Sequence, residues 1–167
     1  MRKTIMVMTA AIAIAGCEVK PARQAEGAPA ATIEQLTQGQ AETIVADAEA
    51  AWSGGRIEAV MANYANDAVV FDTSTLAPNT DRNVQTRGNA AFLTMKPADF
   101  RVDPRHVQLL DDDTIVASGV LSFTASVGAA RPVVRTRYSH VYQRQPDGTW
   151  KIVHEHMSAP PPGSELP

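Results

Sequence analysis

The sequence predicts an α+β domain, and two observations carry that expectation. Apolar residues recur at helical spacing between about residues 41 and 65, and four β-rich runs divided by turn residues fill the second half. Helices first and strands afterwards, with no internal repeat, imply a curved antiparallel β-sheet wrapped around N-terminal helices. Such a sheet leaves a cone-shaped cavity beside its longest helix, and that cavity is where a function would sit.

The chain opens with a positive stretch, Met1-Arg2-Lys3, followed by an apolar core from Thr4 to Ile14 that is too short to span a membrane permanently. Ile14-Ala15-Gly16-Cys17 resembles a bacterial lipobox, in which the cysteine is lipid-modified and becomes the first mature residue. The reading is therefore a lipoprotein signal peptide over 1–16 with lipidation at Cys17. Cleavage removes Arg2 and Lys3, so 15 basic residues become 13 against 18 acidic ones, and the formal charge moves from −3 to −5. Residues 17–38 are rich in Ala, Gln, Glu, Gly and Pro and read as a flexible tether. The folded domain is expected over 39–159, with a Pro-rich tail over 160–167.

Within that domain, Ile44, Val45, Ala48, Ala51 and Trp52 form the stripe of a helix over Ala41–Ser53, with Glu42, Asp47 and Glu49 opposite. Gly54-Gly55 ends it. Ile57, Val60, Met61 and Tyr64 then mark a second helix over Arg56–Ala65. Val69–Phe71 reads as a short strand, Asp72–Thr86 as a polar loop, and Gly88–Met95 as a third helix stopped by Pro97. The strands are expected at Phe100–Leu110, Thr114–Val127, Val133–Gln145 and Trp150–Met157. Their separators are Asp111-Asp112-Asp113, Gly128-Ala129-Ala130 and Pro146-Asp147-Gly148.

Composition removes several function classes. An acidic balance gives no electrostatic basis for binding nucleic acid. One cysteine excludes an internal disulfide and a multi-cysteine zinc site. Asp111-Asp112-Asp113 lacks the spaced oxygens and glycine of a calcium loop. No Ser-His-Asp set, phosphate loop or paired-carboxylate motif is recognisable.

The run Tyr138-Ser-His-Val-Tyr-Gln-Arg-Gln-Pro-Asp-Gly-Thr-Trp150-Lys-Ile-Val-His-Glu-His-Met-Ser158 resembles the end of the association domain of calcium/calmodulin-dependent protein kinase II. It resembles still more the SnoaL-like bacterial proteins of the nuclear transport factor 2-like superfamily. Asn66-Asp67-Ala68-Val69 and Asp103-Pro104-Arg105-His106 fit the same pattern. The resemblance implies a cystatin-like cone over about 40–160, a homodimer through the sheet, and a pocket. That superfamily holds isomerases, dehydratases, binding pockets and pure oligomerisation modules, so the fold alone assigns no reaction.

Alternation in a strand places His154, His156, Trp150, Ile152 and Ser158 on one face and Glu155 on the other. It likewise divides Tyr138, His140 and Tyr142 from Arg135, Arg137 and Ser139. His154 and His156 with His140 are candidate metal ligands, but no acidic partner stands at ligand spacing, and no metal or other cofactor is expected. Arg137 and His140 are the expected polar pair nearest a ligand, with His154, His156, Trp52 and Tyr64 lining its site. His140, Asp72 and Tyr64 are the candidate catalytic residues, a buried Asp72 being able to abstract a proton beside a carbonyl. The expected function is an envelope-anchored, periplasm-facing protein that binds a small organic molecule, an anion among the options, and is tied to the membrane through its lipid alone. Glu at position 18 favours the outer membrane. The alternatives are a cofactor-free isomerase or lyase and an oligomerisation module.

Overall fold

The computed structural model describes residues 35–164. The signal peptide, Cys17 and most of the expected tether lie outside that range.

Helix α1, Gln38–Ser53, begins at a reciprocal cap: the Thr37 hydroxyl accepts from the Gln40 amide while the Gln40 side chain accepts from the Thr37 N–H. It buries Ala41, Val45 and Ala48 and stops where Gly55 takes φ +66°, a left-handed position that a side chain would strain. Helix α2, Ile57–Ala62, is shorter than its sequence stripe. Asn63 caps it, and Tyr64 is the first residue of strand β1, Tyr64–Phe71. The expected three-residue strand at 69–71 is the end of this longer one.

Helix α3, Arg82–Thr94, starts six residues before its expected first residue, Gly88. Asp81 explains the early start, since its carboxylate accepts from the Asn83 and Val84 amides and so caps the first turn. Strands β2 (Ala98–Asp111), β3 (Thr114–Thr124), β4 (Val133–Arg144) and β5 (Trp150–Ser158) follow close to their expected limits. They make an antiparallel meander, and β1 joins the far side of β5 in parallel, giving the order β1-β5-β4-β3-β2. The sheet is thus mixed and mostly antiparallel.

Two irregularities set which side chains reach the inner face of the sheet. In β2, Val102 pairs with Leu121 but Arg105 with Gly119, so one extra residue is accommodated there. In β5, Ile152 pairs with Tyr142 but His154 with Val141, which leaves Val153 as the extra residue. Each bulge turns the following side chains to the opposite face. The core between helices and sheet holds Val45, Val60, Ile115, Tyr142 and Ile152, each almost fully enclosed. None of the helices among the described residues is long and apolar enough to cross a membrane.

Candidate functional site

A cavity of about 700 Å³ lies between α1, α3 and the concave face of the sheet. Trp52, Phe92, Met95, Phe100, Leu121 and Phe123 form much of its apolar wall. Phe92 is its centre, meeting Trp52 edge-on at 5.2 Å and Phe123 at 4.9 Å between ring centroids. Exposed Thr73, Ser74 and Arg87 line the cavity with Asp72, which places the mouth between the loop after β1 and helix α3.

Buried polar groups also line the cavity, and they form two hydrogen-bonded sets that touch where the Tyr138 and His140 rings pack at 4.7 Å. The first centres on Glu49. Its Oε1 accepts from the Tyr138 hydroxyl at 2.7 Å, and its Oε2 meets Arg105 Nη1 at 2.9 Å. The second centres on Glu155, which is 3% exposed. Its Oε2 accepts from the Tyr64 hydroxyl at 2.5 Å and lies 2.9 Å from His140 Nε2. The imidazole N–H is not aligned along that short contact, so Nε2 lacks an in-line acceptor. On the other side of the ring, His140 Nδ1 stands 3.3 Å from the Tyr142 hydroxyl. If that hydroxyl donates to Nδ1, the ring proton sits on Nε2, facing Glu155.

These surroundings hold all three phenols protonated. Burial, then the charge of Glu155 and the hydrogen bond to it, push the Tyr64 phenol well above its ordinary value. Burial and the hydrogen bond to Glu49 do the same for Tyr138. For Tyr142 the causes are burial and then the charges of Glu49 and Glu155.

Of the residues singled out in the sequence, His140, Trp52 and Asp72 line this cavity together. Asp72 stands at the mouth, where one carboxylate oxygen accepts from both the amide and the hydroxyl of Ser74, a local turn and not a buried floor. Tyr64 does not line the cavity; its hydroxyl reaches Glu155. It does so from a strand, not from a second helix. Arg137 is exposed on the convex face, so the expected Arg137–His140 pair does not form. Alternation had already put these two residues on opposite faces, and the buried row is Thr136, Tyr138, His140 and Tyr142.

His154 and His156 also face away from the cavity, their rings tilted against Phe71 with centroids 6.1 and 5.7 Å from it. Among the described residues no group of His, Cys, Asp and Glu is arranged to hold a metal ion. The bulge at Val153 is the reason for the histidines' position. It breaks the strict alternation that had placed them with Ile152, and it brings Glu155 inward instead. Glu155 and Glu49 are the residues missed. Contrary to expectation, Glu49 does not lie opposite the apolar stripe with Glu42 and Asp47. It follows Val45 by four positions and precedes Trp52 by three, a visible signal that puts it on the buried face of α1. Gln85, the buried residue of α3 that also lines the cavity, gave no such signal.

A family model for the SnoaL-like domain matches residues 41–162. Among solved structures, a provisionally assigned calcium/calmodulin-dependent protein kinase II association domain from Xanthomonas campestris is 32% identical, with TM-score 0.66, over 76% of this chain and 91% of that one. A provisionally assigned ketosteroid isomerase from Parabacteroides distasonis is 22% identical, with TM-score 0.62, over 77% of this chain and 94% of that one. An NTF2-like protein of unknown function from Pseudomonas putida is 22% identical, with TM-score 0.61, over 73% of this chain and 85% of that one. The last two likenesses bear on the fold alone. Among curated proteins none matches. With the family model spanning helices, cavity and the whole sheet, the chain belongs to the SnoaL-like domain family and carries the NTF2-like fold.

Proposed function

We propose that this protein binds a small organic molecule in the cone, while Cys17 tethers the domain by its lipid to the cell envelope, facing the periplasm. One observation carries the binding reading: a cavity of about 700 Å³ whose wall is aromatic and whose buried polar groups are held in fixed positions by partners. That combination of apolar enclosure with a few oriented polar atoms is what small-molecule sites use. The lipobox-like Ile14-Ala15-Gly16-Cys17 supports the anchoring, with the outer membrane favoured by Glu18. The open convex face of the sheet supports a homodimer, which light scattering on the purified domain would test.

Thermal-shift screening followed by native mass spectrometry tests the binding reading. A compound that raises the melting temperature of the wild type should lose its effect in Phe92→Ala and keep it in Arg137→Ala. Equal loss in both variants would refute the cavity as the site. For the anchor, Cys17→Ser should move the protein out of the detergent-soluble membrane fraction, and an unchanged distribution would refute it.

The contact of His140 Nε2 with Glu155 supports a second reading, a cofactor-free isomerase or lyase in which the imidazole moves the proton and Glu155 orients it. Turnover that vanishes in His140→Gln and shifts its pH profile in Glu155→Gln would support it. A profile that ignores both substitutions would refute it.

A further inference from the structure

We infer that the cavity takes a ligand bearing hydrogen-bond donors, an alcohol or an amine on an apolar body, and discriminates against a carboxylate. This rests on the small-molecule reading above and names the ligand chemistry. The first support is Gln85, a side chain of α3 that lines the cavity and is only 4% exposed. Its Nε2 donates to the Ala68 carbonyl at 2.8 Å and to the Asn79 carbonyl at 3.0 Å. The amide therefore has one permitted orientation, since a flip would press its oxygen against two carbonyl oxygens. In that orientation Oε1 is buried and has no partner. A buried acceptor left unmade is costly, and a ligand donor that reaches it past the side chains covering it would remove the cost.

The second support is how the protein's own donors are used. Tyr138 and Arg105 are committed to Glu49, and Tyr64 to Glu155. Glu155 Oε1 accepts no hydrogen bond among the described residues. Apart from the Thr136 hydroxyl, the buried polar lining thus offers acceptors, the Glu155 carboxylate and, beneath the side chains that cover it, Gln85 Oε1, and His140 Nε2 faces that same carboxylate. An anionic head group would meet two carboxylates inside, with Arg87 available to it only at the mouth. An ammonium group would gain the Glu155 charge and the faces of aromatic walls.

Four matched probes test this by isothermal calorimetry: naphthylmethylamine, naphthylmethanol, methylnaphthalene and naphthoic acid. The wild type should bind the alcohol about tenfold more tightly than the methyl compound, the amine at least as tightly as the alcohol, and the acid most weakly. Gln85→Leu should bring the alcohol to within about twofold of methylnaphthalene without weakening methylnaphthalene itself. Glu155→Gln should weaken the amine relative to the alcohol and keep the alcohol's advantage over the methyl compound. Ratios taken within one variant cancel general loosening, and the wild-type order stands as a test if Gln85→Leu does not fold. Equal affinities for all four, or tightest binding of the acid, would overturn the inference and leave the cavity a binding site. Binding of none of the four by the folded protein would overturn both.

Discussion

Alkaline titration gives a clean test of the polar interior. The chain has three tyrosines, Tyr64, Tyr138 and Tyr142, and all three are buried in the domain with their phenols pushed above the ordinary value. In the unfolded chain they ionise near pH ~10, while the folded state holds its protons more tightly. The stability these phenols contribute is complete below about pH 10 and is lost as pH climbs towards their raised folded values. Each pH unit above that point costs about 1.4 kcal/mol per tyrosine, or about 4 kcal/mol for the three together. Two units would remove about 8 kcal/mol, comparable with the whole stability of an ordinary domain of ~5–15 kcal/mol. The domain should therefore unfold cooperatively between about pH 11 and 12, with tyrosinate absorbance rising only as it does so. Near-ultraviolet absorbance and circular dichroism followed on the same samples should give one coincident transition. Tyrosinate forming near pH ~10 while the dichroism stays native would show that the phenols are neither buried nor bound to Glu49 and Glu155.

Other perturbations probe the scaffold and the cavity wall. A methyl group at Gly119 would lie 2.3 Å from the Pro104 carbonyl oxygen, so Gly119→Ala should lose about 1–3 kcal/mol in urea denaturation. Thr37→Ala deletes the hydroxyl acceptor that caps α1 and should cost about 1 kcal/mol by the same measurement. Deleting Val153 forces one half of β5 to change face, turning Glu155 outward and His154 and His156 inward if the C-terminal half slips. That variant should lose more than about 3 kcal/mol or fail to unfold cooperatively, and a native-like melt would refute the role given to the bulge.

Much of this architecture was legible in the sequence because turn residues and strand runs are local signals. Asp111-Asp112-Asp113 and Pro146-Asp147-Gly148 separate strands as expected, and the alternation in β4 correctly grouped Tyr138, His140 and Tyr142. Errors arose where a local pattern had two solutions. Ile57, Val60, Met61 and Tyr64 fit one helical stripe, yet α2 ends before Tyr64. The Arg82 guanidinium takes the carbonyls of Met61, Tyr64 and Ala65, satisfying the backbone where helix gives way to strand. The α3 start was hidden for a related reason, because Asp81 is one polar residue in a loop of many and only its capping geometry distinguishes it. The site suffered most from Val153. A bulge is a property of pairing between strands, and no periodicity within one strand can reveal it.

The same bulge explains why the cavity is polar in a particular sense. By turning Glu155 inward it places a second carboxylate in an interior that already holds Glu49, and each is tolerable only with donors of its own. The domain supplies them from nearby tyrosines and Arg105, which fixes the carboxylates but leaves those donors unavailable to anything else. Gln85 repeats the pattern from α3, where its amide nitrogen is consumed by the carbonyls of Ala68 in β1 and of Asn79 in the loop that leads into α3. Holding buried acceptors in place thus takes up the phenols and Arg105, and apart from the Thr136 hydroxyl the buried polarity that remains for a ligand is accepting. Selectivity for donor-bearing molecules follows from the way this interior is stabilised.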